Sequence, residues 1–319
     1  MRVAVSGSTG LVGAEVMATL SAAGHEVLRL VRRAPAPGEN AVRWDPEKGE
    51  VDAAGLEGLD AVVHLAGENI ASGRWTAARK AAIRDSRVNG TRLLCGALAG
   101  LLRPPKTLVC ASAIGYYGDR GADLLTEESP HGAGFLPEVC REWEAAMVAA
   151  ARREIRVVAL RIGVVLSPRG GALRRMLPPF RAGLGGVLGN GRQYVSWIAL
   201  DDLAGVVLHA LRSGDLRGPV NAVAPVPVTN RELTEALGRV LSRPTLFPVP
   251  AFALRLALGE MGDALLLAST RVAPRRLEET GYRFRFPELP AALRHLLGKG
   301  VEGDIPGSTP GEGKECPPP

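Results

Sequence analysis

A chain of 319 residues with 46% hydrophobic side chains can bury a large core, which excludes disorder over most of its length. Its net charge of +6 comes from 39 Lys and Arg that never form a run, so a nucleic-acid partner is not expected and a small anionic ligand suits it better. Cys95, Cys110, Cys140 and Cys316 show no C-x-x-C spacing, as in a reduced, cytoplasmic protein. The N-terminal apolar run is broken by Gly7, Gly10 and Gly13 and followed by Glu15, unlike a secretory signal. The most apolar later stretch, 251–268, carries Arg255, Glu260 and Asp263, so no membrane span is expected.

In chain order, a short apolar strand at 3–5 precedes a helical pattern at 12–23 and a strand at 26–31. A strand at 61–65, a helix at 76–102, a strand at 107–111, a helix at 138–153 and a strand at 156–160 follow. Strand and helix alternating at this spacing predict βαβ units, hence an α/β, Rossmann-like, doubly wound parallel sheet. From residue 167 Gly and Pro become frequent, which predicts loops and short elements over the open end of the sheet. Helices are expected at 201–212, 230–241, 250–258 and 288–297, with a strand at 220–222. The expected division is a cofactor domain at 1–166 and a smaller C-terminal α/β lobe at 167–298, with 201–222 returning to the first sheet. A disordered tail is expected at 299–319.

Gly7-Ser8-Thr9-Gly10-Leu11-Val12-Gly13 is a G-x-x-G-x-x-G pattern. With 39 Gly in the chain, about 0.6 such matches arise by chance. Context gives it weight, because it joins the first strand to the first helix, and a second strand follows as a βαβ unit requires. Glycines there let the backbone approach a pyrophosphate at the helix N-terminus. NAD sites place an acidic residue at the end of the second strand, and this chain has Arg32 and Arg33 instead, which suit the 2′-phosphate of NADP(H), Arg32 foremost.

These segments resemble the extended short-chain dehydrogenase/reductase superfamily, which includes the sugar-nucleotide epimerases. The matching marks are the glycine pattern, Ala61–Gly67, Val88–Leu94, Ala111–Gly118 and Ile198–Leu203. More narrowly, the chain is similar to the atypical epimerase-family, SDR39U-like branch, through Gly67-Glu68-Asn69-Ile70, Trp75, Ser86-Arg87, Trp143-Glu144 and Pro179-Phe180-Arg181. The resemblance implies NADP(H) and a small polar or nucleotide-sugar-like substrate. The expected cofactor set is Gly7, Thr9, Gly10, Leu11, Val12, Gly13, Arg32, Arg33, Leu65, Ala66, Gly67, Glu68, Arg87, Ser112 and Gly163.

One part of the superfamily's apparatus is missing. Its chemistry uses Ser/Thr with Tyr-x-x-x-Lys, and no Lys lies between Lys106 and Lys299. The Tyr and Lys positions fall near Cys140 and Glu144, or at Leu136 and Cys140 in an alignment shifted by four residues, and Arg87 stands where an Asn is usual. The candidate catalytic residues are therefore Glu68, Ser112 and Cys140, with Asn69, Glu144, Gln193, Ser196 and Trp197 as further site candidates. His64 is alone in its strand, without metal-ligand spacing, so no metal is expected. Two functions follow as expectations: an NADP(H)-dependent oxidoreductase or epimerase with a non-standard acid/base group, or a catalytically inactive NADP(H)-binding redox sensor. A homodimer is left open, and neither a nucleic-acid nor a membrane partner is expected.

Overall fold

The computed structural model describes residues 1–299, so the tail expected at 299–319 lies outside the described residues apart from Lys299. In chain order the first half contains β1 (Arg2–Ser6), α1 (Leu11–Ala22), β2 (Glu26–Val31), β3 (Ala41–Asp45), β4 (Glu50–Val51), β5 (Ala61–His64) and α2 (Ala77–Gly100). It continues with β6 (Thr107–Ala113), β7 (Leu124–Leu125), α3 (Phe135–Ala145), α4 (Val148–Arg152), β8 (Arg156–Ile162), β9 (Val164–Ser167) and α5 (Gly171–Arg181). Then come β10 (Tyr194–Val195), β11 (Trp197–Ala199), α6 (Leu200–Arg212), β12 (Gly218–Ala222), β13 (Val228–Thr229) and α7 (Asn230–Leu241). The last elements are α8 (Ala251–Leu258), α9 (Glu260–Gly262), β14 (Arg271–Val272), α10 (Arg275–Glu279) and α11 (Leu289–Leu296).

The main sheet runs β12-β8-β6-β5-β1-β2-β3-β4 and is parallel except for β4. Alternation along each strand sends side chains to opposite faces, and both faces are buried. Val3, Val5, Val63, Val109, Leu160 and Val220 pack beneath α1 and α6, whereas Ala4, Val62, Leu108 and Cys110 pack beneath α2 and α3 with Leu94, Leu98 and Trp143. This is the doubly wound α/β fold expected from the alternation.

Three boundaries differ from the sequence expectation. The helix expected at 138–153 is two helices, α3 and α4, meeting at Ala146 and Met147. The sixth strand runs two residues past 111 and so carries Ser112. The edge strands β3 and β4 were not expected: Arg43, which pairs with Glu50, interrupts a short apolar pattern that follows a Pro-containing loop.

The later elements form a core of their own around Leu173, Leu177, Phe180, Trp197, Leu233, Leu237, Leu289 and Leu293. Asp202, fully buried in α6, accepts the amides of Arg285 (2.8 Å) and Phe286 (3.0 Å) and so ties the C-terminal segment to the sheet half. No helix among the described residues is long and apolar enough to cross a membrane.

Between β1 and β5 the strand order changes direction, and one hydroxyl spans that point. Ser6 Oγ accepts the amides of Leu65 (3.1 Å) and Ala66 (3.3 Å) and lies 2.6 Å from His64 Nδ1. With two amides donating to it, the Ser6 hydroxyl donates its own hydrogen bond to Nδ1, which leaves the ring proton on Nε2, facing Thr91 Oγ1 at 3.1 Å. Thr91 Oγ1 also accepts from Trp143 Nε1 at 2.8 Å, so β1, β5, α2 and α3 share one buried polar chain.

Burial lowers the His64 pKa to about 4, so the ring is neutral in the folded protein. The unfolded chain takes up a proton near pH 6.5, and the stability His64 contributes is present above that pH and lost as pH falls toward 4. Urea unfolding between pH 6.5 and 4 is expected to show a slope of about 1.4 kcal/mol per pH unit from this group. The His64→Gln variant should lose that part of the slope.

Candidate cofactor and catalytic site

In α/β sheets of this kind ligands bind outside the C-terminal ends of the strands, at the reversal of strand order. That reversal places the Gly7–Gly13 loop beside Leu65 and Ala66. Gly7 has φ +66°, and a Cβ on it would lie 2.9 Å from the Ala66 amide nitrogen and the Leu65 carbonyl. A Cβ on Gly13 would fall 2.1 Å from the Gly7 carbonyl oxygen. Glycine is therefore required at both positions for the loop to fold against the strands.

Gly10 caps α1 without a side-chain hydrogen bond, and the first turn has no acidic residue. The first-turn amides have no partner within the helix. Thr9 and Gly10 are exposed and Leu11 and Val12 half-buried, so the cradle opens outward. Its geometry fits a dinucleotide pyrophosphate.

Arg32 and Arg33 follow β2, and their surroundings separate them. Arg33 makes a two-pronged pair with Glu39, at 2.7 Å on each side, and that carboxyl, held by Arg33 and then by the Ala36 amide, titrates at about 2. Arg32 makes a single 2.7 Å bond to Glu47, with both side chains more than half exposed. Such a pair contributes under about 1 kcal/mol, so Arg32 can be recruited by a phosphate while Arg33 is already committed.

Glu68 lies after β5, not at a helix start as a capping role would need; α2 begins at Ala77 and is capped by Thr76. The Glu68 carboxylate pairs with Arg79 at 3.1 Å. Arg87 does not reach that carboxylate and donates instead to the Glu68 carbonyl (3.0 Å) and the Ile83 carbonyl (3.1 Å). Gly67 lies directly beside the Arg87 guanidinium.

Several other candidates have structural duties. Cys140 is buried in α3, and burial, followed by the Glu144 charge, pushes its thiol up to about 12, so it offers neither thiolate nor ready proton. This removes it from the catalytic set. Gly163 is required by packing, because a Cβ there would meet the Ser196 carbonyl oxygen at 2.6 Å. Gln193 donates to the Leu188 and Leu266 carbonyls, Ser196 joins Thr270 to Val272, and Asn69 closes its own turn on Ala71. Trp197 is fully buried in the later core. No group of three or more His, Cys, Asp or Glu able to hold a metal ion occurs among the described residues.

The remaining candidates meet at the ends of β6 and β8. Ser112 Oγ donates to Glu144 Oε1 at 2.7 Å. Arg161, on β8 and 3% exposed, grips the same carboxylate from its other side through Nε (2.8 Å to Oε1) and Nη2 (2.9 Å to Oε2). Burial opposes the Arg161 charge, and the Glu144 carboxylate more than offsets it, so the guanidinium stays charged and its pKa is raised. The Tyr116 ring stacks on it at 3.5 Å. Arg161 Nη1 also donates to Tyr117 Oη at 3.0 Å, and Tyr117 donates to Asn221 at 2.7 Å. Burial pushes the Tyr117 phenol up to about 12, which bars it from acting as a phenolate.

Arg161, Tyr117 and Asn221 are absent from the sequence-derived site. A sequence signal for Arg161 exists: it is a charge within the otherwise apolar run Val157–Ile162, and a buried charge demands a partner.

Residues 3–222 match the NAD dependent epimerase/dehydratase family. The chain belongs to that family. Residues 249–296 match a second model, a domain of unknown function designated DUF1731. Among this family member's relatives, an epimerase family protein of Mycobacterium bovis is 47% identical over 291 residues, covering 91% of this chain and 96% of the relative. The human epimerase family protein SDR39U1 is 40% identical over 300 residues, covering 93% and 100%. The crystal structure of its isoform 2 with NADPH superposes with a TM-score of 0.86 at 37% identity, covering 93% of this chain and 99% of that one. A nucleoside-diphosphate sugar epimerase from Corynebacterium glutamicum gives a TM-score of 0.75 at 40% identity, over 94% of this chain and 58% of that chain.

Removing one partner of the Glu144–Arg161 pair strands a charge in a mostly dry site. Arg161→Met is expected to cost about 3 kcal/mol in urea unfolding, and the double variant Arg161→Met/Glu144→Met is expected to recover most of that loss.

Proposed function

We propose that this chain is an NADP(H)-dependent oxidoreductase or epimerase for a small polar substrate, with Ser112 and Glu144 replacing the missing Tyr-x-x-x-Lys pair. The observation that carries this reading is the Ser112–Glu144 contact, a hydroxyl and a fixed carboxylate at the C-terminal end of β6. The cofactor, when bound, supplies and receives hydride. The glycine loop and the α1 N-terminus would hold its pyrophosphate, Leu65, Ala66 and Gly67 would line its path, and Arg32 would take the 2′-phosphate. The NADPH complex of the related human protein supports the same choice of cofactor.

Glu144 Oε1 receives two hydrogen bonds and Oε2 one, so Oε2 retains a lone pair that can accept a proton from a substrate hydroxyl. Ser112 and Arg161 fix the plane of the carboxylate and thus the direction of that lone pair. Residues 1–166 with 201–222 would carry the cofactor, and the elements from 167 onward would cover the substrate. The buried, unpaired thiols of Cys95, Cys110 and Cys140 support a reducing compartment such as the cytoplasm.

A redox-sensor reading keeps one specific support: neither the Tyr117 phenol nor the Cys140 thiol can exchange protons near neutral pH. Oxidation of bound NADPH by a panel of aldehydes and ketones separates the two. Turnover that Ser112→Ala reduces about a hundredfold supports catalysis. Tight NADPH binding with no turnover across the panel overturns the catalytic reading in favour of the sensor.

Cofactor choice has its own test. Arg32→Asp is expected to raise the Kd for NADPH by about tenfold or more while leaving that for NADH unchanged. Equal loss of both overturns the 2′-phosphate assignment.

A further inference from the structure

Three guanidiniums sunk into the sheet half are treated differently by their surroundings. Arg156 gives hydrogen bonds to the carbonyls of Ala210, Leu211 and Leu216 and to Thr107 Oγ1, and so closes the end of α6. Arg161 is neutralised by Glu144 on two sides. Arg87 has neither arrangement. Two of its five N–H donors reach carbonyls, those of Ile83 and Glu68, and no carboxylate pairs with it.

The nearby acidic groups are already taken: the Glu68 carboxylate by Arg79, and Glu144 by Arg161 and Ser112. From α3 it faces the neutral Cys140 thiol and the Trp143 ring, whose centre lies 5.2 Å from the guanidinium carbon. Exposed Gly67 stands beside it, where a Cβ would lie 3.4 Å from that carbon, so the absence of a side chain leaves room next to the guanidinium. A half-buried, unsaturated guanidinium with an open flank, at the C-terminal ends of parallel strands, is suited to an incoming planar oxyanion.

We propose that Arg87 is the receptor for an anionic group of the substrate, a carboxylate or a phosphate, which enters beside Gly67. This rests on the NADP(H) reading, which assigns the pyrophosphate to the α1 N-terminus beside β1 and the 2′-phosphate to Arg32 beside β2. Arg87 lies on the other side of β5, against α3, one helical turn from Glu144 through Cys140. The sequence places Arg87 in the cofactor set, and its geometry transfers it to the substrate. The substrate is then an anionic molecule whose reacting carbon lies between Arg87 and Glu144.

The test uses oxalate for a carboxylate and inorganic phosphate for a phosphate. Each is titrated at fixed ionic strength into the NADPH-saturated protein, with Tm as the readout, for wild type, Arg87→Met and Arg87→Lys. At least one anion should raise the wild-type Tm saturably, and which one does so names the class. Arg87→Met should abolish the rise with the NADPH Kd unchanged. Arg87→Lys, which keeps the charge and loses the fork, should weaken the apparent anion affinity about tenfold, and it decides the matter if the Met variant does not fold. The proposal is overturned if neither anion acts on wild type, if the rise persists unchanged in the variants, or if the variants lose NADPH affinity. Failure of wild type to bind NADPH overturns the cofactor reading instead, and the same titrations without NADPH then judge Arg87 by itself.

Discussion

The parallel sheet must hold β1 against β5 at the one place where its strand order reverses, and the candidate site depends on that junction. Ser6 Oγ takes both amides that follow β5, while the Gly7 backbone comes so close to Leu65 and Ala66 that no side chain fits between them. The two constraints act together. The hydroxyl satisfies backbone donors that would otherwise be stranded at the end of a buried strand, and the glycine lets the chain turn immediately into α1. A helix N-terminus without a cap or a carboxylate is thereby left facing the crevice.

The same junction extends inward through His64 and Thr91 to Trp143. The chain works only while the imidazole is neutral, since Nδ1 must accept from Ser6. Burial enforces that state. The glycine cradle and the α3 face that carries Cys140 and Glu144 are thus joined by one polar thread through an apolar core, and a neutral histidine is the part that makes the thread continuous.

Around the strand ends two carboxylates are each held by a guanidinium. Glu144 answers Arg161, and Arg79 answers Glu68. The resemblance puts the usual lysine near Glu144 or, four residues earlier, at Cys140; neither is a lysine here, and the nearby positive charge is Arg161 on β8. The proposed proton transfer by Glu144 rests on this exchange. Arg87 has no carboxylate partner and gives only two hydrogen bonds, to the Ile83 and Glu68 carbonyls.

Sequence alone determined the architecture and the glycine cradle on which the proposed cofactor site rests, because those depend on local features. Strand-helix alternation, glycines at fixed spacing and two arginines directly after a strand are written into contiguous segments, and backbone sterics act over a few residues. Even the loss of the usual catalytic pair was legible, since no lysine lies anywhere in the relevant span. Tertiary structure alone decided the rest. Ser112, Glu144 and Arg161 come from three separate elements and become one centre only when β6, α3 and β8 are packed. It also separated Arg32 from Arg33 by the partner each already holds, and Cys140 from Glu144 by burial. A side chain's charge state and free donors are set by neighbours distant in the chain, and no local pattern encodes them.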